Sequence, residues 1–146
     1  MVSMRSRSAT ELLQLPVQLR GIRLGRPVDL LIDPTEWRAL GFVVLCGDES
    51  RRFLVFAAAD IQEDTIDLVS ALVLLEDVDF YRERSRSLRD LLGSVVGEER
   101  CELGELRDLL LARDGTVDAL VVENGDGRRS IEPTGVSVEA ESVSTA

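Results

Sequence analysis

Short runs of apolar residues, separated by turn-forming residues, cover most of the first half of the chain. Residues 28–33 form one run, and residues 40–46 form a second run that is rich in β-forming side chains. The sequence Asp-Pro-Thr-Glu separates these two runs, and residues 47–50 provide a further turn before the run at 53–58. Apolar runs of this length between turn residues predict β-strands joined by tight turns.

The second half of the chain shows the same alternation. Residues 106–112 and 117–123 form two apolar runs, with Asp114 and Gly115 between them. The sequence Asn-Gly-Asp-Gly at 124–127 follows the second run. Asp-Gly and Asn-Gly pairs adopt the positive φ angles of tight hairpin turns, so this half also predicts short strands.

A single helical turn is predicted at the start of each half. Ser8 and Ser87 stand where a serine side chain can accept a hydrogen bond from a free amide of the first helical turn. The predicted fold class is therefore all-β: two small β-barrels in tandem, with short helical turns.

An internal repeat links the two halves. Leu12-Leu13 is matched by Leu91-Leu92, and the sequence Leu-Gly-x-x-x-Asp at 24–29 recurs at 103–108, both at an offset of 79 positions. Further matches follow at an offset of 77: Val44 with Val121, and Arg51-Arg52 with Arg128-Arg129. Matches that occur in the same order over such a distance favour a duplicated module.

The repeat predicts the domain organisation. We expect one module at residues 11–80, a polar linker at 81–87, a second, shorter module at 88–140 and a tail at 141–146. The extra length of the first module contains candidate strands at 64–68 and 71–75. Because so short a second module buries little apolar surface, we expect it to lean on the first through a shared interface or a borrowed strand.

The repeated pattern resembles the PRC-barrel family, which includes the cytoplasmic domain of the photosynthetic reaction-centre H subunit and the C-terminal domain of a bacterial ribosome maturation factor. The resemblance rests on residues 12–17, 24–34 and 40–44, and again on 91–96, 103–111, 114–115 and 119–122. It implies a barrel of about six strands in each module, used as an adaptor that binds other macromolecules. It does not imply a particular partner.

The amino-acid composition excludes much common chemistry. The chain has 17 basic residues and no histidine, and every basic residue is an arginine. Without His or Lys, a catalytic triad, a Schiff base and a Walker-type phosphate site cannot be assembled from this chain alone. We therefore expect neither an enzyme nor a bound cofactor.

The candidate metal ligands are also few. Cys46 and Cys101 belong to no Cys-x-x-Cys pair, and we expect two buried free thiols, with a disulfide between the halves as the alternative. The sequence at 124–127 fails the ligand spacing of a calcium loop, since Val122 and Pro133 occupy the positions that require acids. We expect a hairpin turn there and no metal site.

Asp29 and Asp108 occupy equivalent positions in the repeat. One interpretation makes them a general acid and base. The favoured interpretation is structural, with each carboxylate hydrogen-bonded to a neighbouring backbone turn.

Charge is distributed unevenly along a chain whose formal net charge is −10. Residues 60–79 contain seven acidic residues and no basic one, against a cluster of arginines in residues 1–26. The first four acids of the stretch are candidate protein-contact residues, either for a basic partner or as a solvated face: Asp60, Glu63, Asp64 and Asp67. The negative charge argues against nucleic acid as a partner.

These observations predict a non-catalytic adaptor or scaffold module that binds a protein partner. The alternative is a small-molecule or metal-binding protein, or an enzyme, that uses carboxylate and Arg side chains. No apolar stretch has the length of a membrane span and the first residues do not predict a secretion signal, so we expect a cytoplasmic protein without membrane insertion. A homo-oligomer remains open.

Overall fold

The structure is a computed structural model and describes residues 6–99 and 101–139. The first half contains β1 (Arg7–Ser8), α1 (Ala9–Leu12), β2 (Val17–Leu19), β3 (Ile22–Asp33), β4 (Arg38–Cys46), β5 (Arg51–Val55), β6 (Asp60–Ile61), β7 (Ile66–Leu68), β8 (Leu74–Leu75) and α2 (Val78–Arg82). The second half contains β9 (Arg86–Ser87), α3 (Leu88–Leu91), β10 (Val95–Glu98), β11 (Cys101–Leu111), β12 (Val117–Asn124), β13 (Gly127–Ile131) and β14 (Ser137–Glu139). The prediction of an all-β fold with short helical turns is confirmed at this level.

The strands form two open sheets. The first sheet has the order β6-β7-β2-β3-β4-β5-β8, with β9 added on β3. The second has the order β13-β12-β11-β10-β14, with β1 added on β11. Within the described residues neither sheet returns to its first strand, so the predicted closed barrels are not observed. The end strands β6 and β8 contain two residues each, and residues 132–136 connect β13 to β14 without strand pairing, which leaves both seams open.

The two sheets share three irregularities in register. In the first sheet, β-bulges occur after Val17, between Pro27 and Asp29 and between Leu31 and Ile32. The second sheet has a bulge 79 positions after each of these. A bulge inserts an unpaired residue and increases the local twist, so both sheets bend at equivalent places.

The strand registers show that one residue match in the predicted repeat is wrong. Asp29 lies opposite Val43 and Asp108 lies opposite Val121, so the offset in this strand is 78 and the match of Val44 with Val121 is wrong by one position. The offset of 77 applies only from β5 and β13 onward. The second half is therefore shorter by one residue in the turn between β11 and β12 and by one residue in the turn between β12 and β13.

The end strands of the two sheets differ. Strand β7 runs parallel to β2, whereas β14 runs antiparallel to β10. The predicted strand at 71–75 is divided into a 3-10 turn at Ala71–Val73 and the short strand β8. Ser70 starts that turn by accepting a hydrogen bond from the Leu72 amide, at 3.1 Å.

Two short arms cross between the sheets. The arm β1–α1 precedes the first sheet but pairs with β11 of the second, and the arm β9–α3 precedes the second sheet but pairs with β3 of the first. The predicted linker at 81–87 thus contains the end of α2 and the strand β9. A borrowed strand therefore joins the halves in each direction. The predicted tail at 141–146 lies outside the described residues.

Hairpin turns add a further junction between the sheets. The Ala39 amide donates to the Gly115 carbonyl at 2.8 Å, and the Val117 amide donates to the Trp37 carbonyl at 2.9 Å. Buried side chains of both sheets, such as Phe42 and Leu120, belong to one continuous apolar cluster. The two halves consequently share one core, and the ends of the sheets away from this junction can contact other molecules.

Helix α2 covers the opposite face of the first sheet. Tyr81 stacks on Phe53 with the ring centroids 3.9 Å apart, and Val78 packs beside them in a second, smaller apolar cluster. This helix fixes the chain between the end of the first sheet and the second arm.

Candidate protein-binding surface

The four predicted contact residues lie on one hairpin, which we call the acidic hairpin (residues 60–68). It consists of β6, a turn and β7, and the Gln62 amide closes the turn on the Thr65 carbonyl at 2.8 Å. Asp60 lies directly opposite Asp67 in the strand register, while Glu63 and Asp64 stand at the turn. The structure therefore brings the four acids together.

Arg7 holds the acidic hairpin in place. Its guanidinium group donates to the carbonyl oxygens of Gln62 at 3.1 Å and Glu63 at 3.3 Å. Arg7 itself belongs to the arm that pairs with the second sheet. The hairpin is thus anchored on one side to its own sheet through β7 and on the other side to the crossing arm.

The carboxylates of the hairpin have few internal partners. Asp60 accepts a hydrogen bond from the Gln62 side-chain amide at 2.8 Å, and Asp67 accepts one from the Thr65 hydroxyl at 3.0 Å. Among the described residues, no arginine nitrogen lies within 4.0 Å of the carboxylate oxygens of any of the four acids. Like charges opposite each other in a strand pair are unfavourable, so a cationic partner would relieve this repulsion.

The remaining acids of the predicted stretch have local roles. Glu76 pairs with Arg52 at 3.4 Å, and Asp77 caps α2 by accepting from the Phe80 amide at 3.1 Å. Asp79 lies in the first turn of the same helix, where the positive end of the helix dipole favours a carboxylate. The candidate surface is therefore limited to the acidic hairpin and does not extend over the whole acidic stretch at residues 60–79.

Two exposed apolar side chains follow the acidic hairpin and were missed by the sequence analysis. Val69 is 77% exposed and Leu72 is 88% exposed. Strand alternation gives the signal that could have found Val69, because it follows the buried Leu68 and must face the other way. Large apolar side chains this exposed beside charged residues are typical of protein contact surfaces.

A groove of about 650 Å³ runs between the hairpin and the second sheet. Its lining combines apolar and charged side chains, including Phe56 and Leu111 together with Glu11, Asp60 and Arg113. The Arg7 guanidinium also lines it but is engaged by the carbonyls of the hairpin turn. This groove is one place where the alternative function, small-molecule binding by carboxylate and Arg side chains, could occur.

Asp29 and Asp108 are structural, and each one binds the arm that crosses from the other half. Asp29 is 5% exposed and accepts hydrogen bonds from the Ser87 hydroxyl and from the amides of Leu30 at 2.8 Å and Arg89 at 3.3 Å. The structural interpretation is confirmed, with the difference that the neighbouring turn belongs to the second half.

Asp108 repeats this arrangement on the other side. It accepts from the Ser8 hydroxyl, from the Thr10 amide at 3.1 Å and from the Leu109 amide at 2.8 Å. The two carboxylates therefore bind opposite arms, and neither interaction involves the acidic hairpin.

Shifted pKa values occur away from the acidic hairpin. Hydrogen bonds from the Ser50 hydroxyl and amide lower the pKa of Asp48, and those from the Thr116 amide and hydroxyl lower the pKa of Asp114. Both aspartates stand in turns, where such bonds fix the backbone. Lowered pKa values keep these carboxylates ionised and do not suit a general acid.

The cysteines and the candidate calcium loop have simple structural roles. Cys46 and Cys101 are free thiols, as predicted, but Cys46 is half-buried and Cys101 is exposed, so the prediction that both are buried is wrong. Burial raises the pKa of the Cys46 thiol. Residues 124–127 form the predicted hairpin turn, in which the Asn124 side chain accepts from the Asp126 amide at 2.7 Å.

Within residues 6–99 and 101–139, no cluster of three or more His, Cys, Asp or Glu side chains could hold a metal ion. The helices described there are all too short to cross a bilayer. No protein-family model matches the chain, and no curated protein matches it.

Proposed function

We propose that the chain is a non-catalytic adaptor that binds a basic surface of a partner protein through the acidic hairpin. The observation that supports this most directly is the set of four carboxylates on a fixed hairpin, with no arginine of the described residues paired to them. Because Arg7 holds the hairpin through its backbone carbonyls, the side-chain carboxylates can still contact another molecule.

The exposed apolar residues supply the second part of the surface. Charged groups steer a partner toward the surface and raise the association rate, whereas buried apolar anchors slow its dissociation. Val69 follows the hairpin directly in the chain and can provide such an anchor, and Leu72 is a second exposed apolar residue, in the 3-10 turn before β8. The matching partner surface carries Arg or Lys beside an apolar pocket.

We further propose that the two halves are copies of one PRC-barrel-like module. The equal spacing of three bulges and the reciprocal crossing of the two arms support a common origin. The adaptor role implied by that resemblance agrees with the acidic hairpin. In the groove that would serve the small-molecule alternative, the Arg7 guanidinium is already hydrogen-bonded to backbone carbonyls, which leaves Arg113 as the arginine that could contact a ligand.

The test compares three forms of the full chain in capture experiments from a lysate of the host organism. One variant neutralises the acidic hairpin through Asp60→Asn, Glu63→Gln, Asp64→Asn and Asp67→Asn. The matched control makes the same change in charge at four exposed residues that line neither the groove beside the hairpin nor the groove beside β13: Glu36→Gln, Glu83→Gln, Glu99→Gln and Glu102→Gln.

We expect wild type and control to capture the same basic protein at low salt, and the hairpin variant to lose it. At about 1 M salt the Debye length falls to about 3 Å, so capture by wild type should also weaken. Equal capture by all three forms at both salt concentrations would show that the hairpin is only a solvated face.

A further inference from the structure

The outer edge of β5 in the first sheet is covered, whereas the equivalent edge in the second sheet is open. Strand β8 pairs with β5 through Leu74 opposite Leu54 and Leu75 opposite Phe53. Strand β13 stands in the position of β5, since Arg52 lies opposite Val44 just as Arg129 lies opposite Val122. Among the described residues no strand pairs with the outer edge of β13.

A groove lies beside this open edge. It measures about 660 Å³, and its lining combines apolar side chains with one arginine and two acids: Leu103, Ile131, Val136, Arg129, Glu98 and Glu132. The equivalent groove of the first sheet, lined by Leu24 and Arg52, measures about 280 Å³ because Ala71 and Leu74 of the β8 segment occupy its side. The second sheet therefore has space where the first sheet holds an extended segment.

The first sheet also shows which side chains fit such an edge. Leu74 of β8 is 8% exposed, and Glu76, immediately after β8, pairs with Arg52 at 3.4 Å. At the equivalent positions of the second sheet, Ile131 would face the first apolar residue, Ser130 would face the second and Arg129 would face the acid. An edge strand with free amides and carbonyls is a template for adding another strand.

We propose that β13 accepts an extended segment of a partner protein, bound antiparallel, in which two apolar residues are followed by an acidic one. Strand β13 is exposed at four of its five residues. Arg128 lies 3.7 Å from Glu123, whereas no carboxylate of the described residues lies within 4.0 Å of the Arg129 guanidinium. The charge of Arg129 attracts an acidic residue of the segment and opposes the pairing of two copies of β13. Residues 140–146 lack two adjacent large apolar residues followed by an acid, so they do not match.

This site is separate from the acidic hairpin, because β13 and the hairpin belong to different sheets. The chain could therefore hold one segment on β13 and a basic protein on the hairpin at the same time. The site on β13 does not depend on the proposed role of the acidic hairpin.

The test uses a fluorescent peptide with the sequence of residues 70–77 as the probe and the full chain as the receptor. A second peptide carries the change Glu76→Arg. The receptor variants are Arg129→Glu and, as a matched control, Arg23→Glu, which changes an exposed arginine away from β13.

We expect saturable binding of the first peptide to wild type and to the control, and binding about threefold to fivefold weaker to the Arg129→Glu variant, as for the loss of an exposed ion pair. The Glu76→Arg peptide should regain affinity for that variant. Absence of saturable binding to wild type, or equal affinities for both variants, would overturn the proposal.

Hydrogen exchange identifies the segment that covers the edge. The outward-facing amides of β13 should exchange rapidly in the free chain and become protected when the peptide is added. Protection in a monomer before addition would assign the edge to the chain's own residues. A dimer that the peptide dissociates would assign it to a second copy, and either result would overturn the proposed partner.

Discussion

Asp29 and Asp108 show how two single residues join the halves of the chain. Each carboxylate lies at a β-bulge and accepts a serine hydroxyl and a backbone amide from the arm of the other half. A carboxylate can accept several such bonds, and each bond to an ionised acceptor is stronger than one between neutral groups. Asp29 and Asp108, which the sequence offered as a candidate acid and base, therefore join each sheet to the arm of the other half.

We expect Asp29→Ala to lower the free energy of unfolding by about 2–3 kcal/mol, because the buried Leu30 amide and the part-buried hydrogen bonds from Ser87 and Arg89 of the second arm lose their acceptor. Asp108→Ala should have a smaller effect, since Asp108 is only half-buried and water can reach the released amides. Chemical denaturation measures both values. Asp126→Ala, a change in an exposed turn, serves as the control, and an equal cost for Asp29→Ala and Asp126→Ala would contradict this role.

Among the elements, the acidic hairpin depends most on a contact far away in the chain. Its two strands are short, and a hairpin of this size has little stability of its own. Arg7 compensates by donating to two carbonyls of the turn. The geometry of the candidate surface is therefore set by the first arm as well as by the hairpin sequence.

We expect Arg7→Ala to speed amide hydrogen exchange at residues 60–66 without unfolding the sheets, because the turn loses its link to the arm. Exchange followed by mass spectrometry measures this directly. Arg23→Ala, which removes an exposed arginine elsewhere, should leave these amides unchanged. Equal exchange in both variants would show that the hairpin is held by its own strands.

The elements also show what the sequence could and could not predict. Apolar runs and turn residues predicted β3, β4, β11 and β12, because these strands are long and their turns carry strong local signals. The sequence predicted a shared interface or a borrowed strand but not which segments cross, because pairing between distant segments leaves no local pattern. One signal was present: Arg-Ser-Arg-Ser occurs at 5–8 and again at 84–87, 79 positions apart, so the second copy of the motif belongs to an arm and not to a linker.

At the scale of the whole molecule, the two halves share a core and differ at their ends. The shared core follows from the arms and the hairpin contacts that cross between the sheets. The ends differ because the first half has extra residues that form β6, β7 and β8, which supply the acidic hairpin and cover the edge of β5. Sequence comparison showed the difference in length but not the direction of β7 or the open edge of β13, since both depend on tertiary pairing.

The difference between the ends has a consequence for binding. The first half presents a fixed acidic hairpin, and the second half presents an open strand edge that carries Arg129. The two proposed binding sites therefore lie on different sheets of one core.

The most direct test of the central proposal is the association rate constant of the captured partner, measured against ionic strength for the wild type, the hairpin variant and the control. We expect the rate constant of wild type and control to fall steeply as salt rises, and that of the hairpin variant to be lower and nearly independent of salt. Equal rate constants with equal salt dependence in all three proteins would contradict binding through the acidic hairpin.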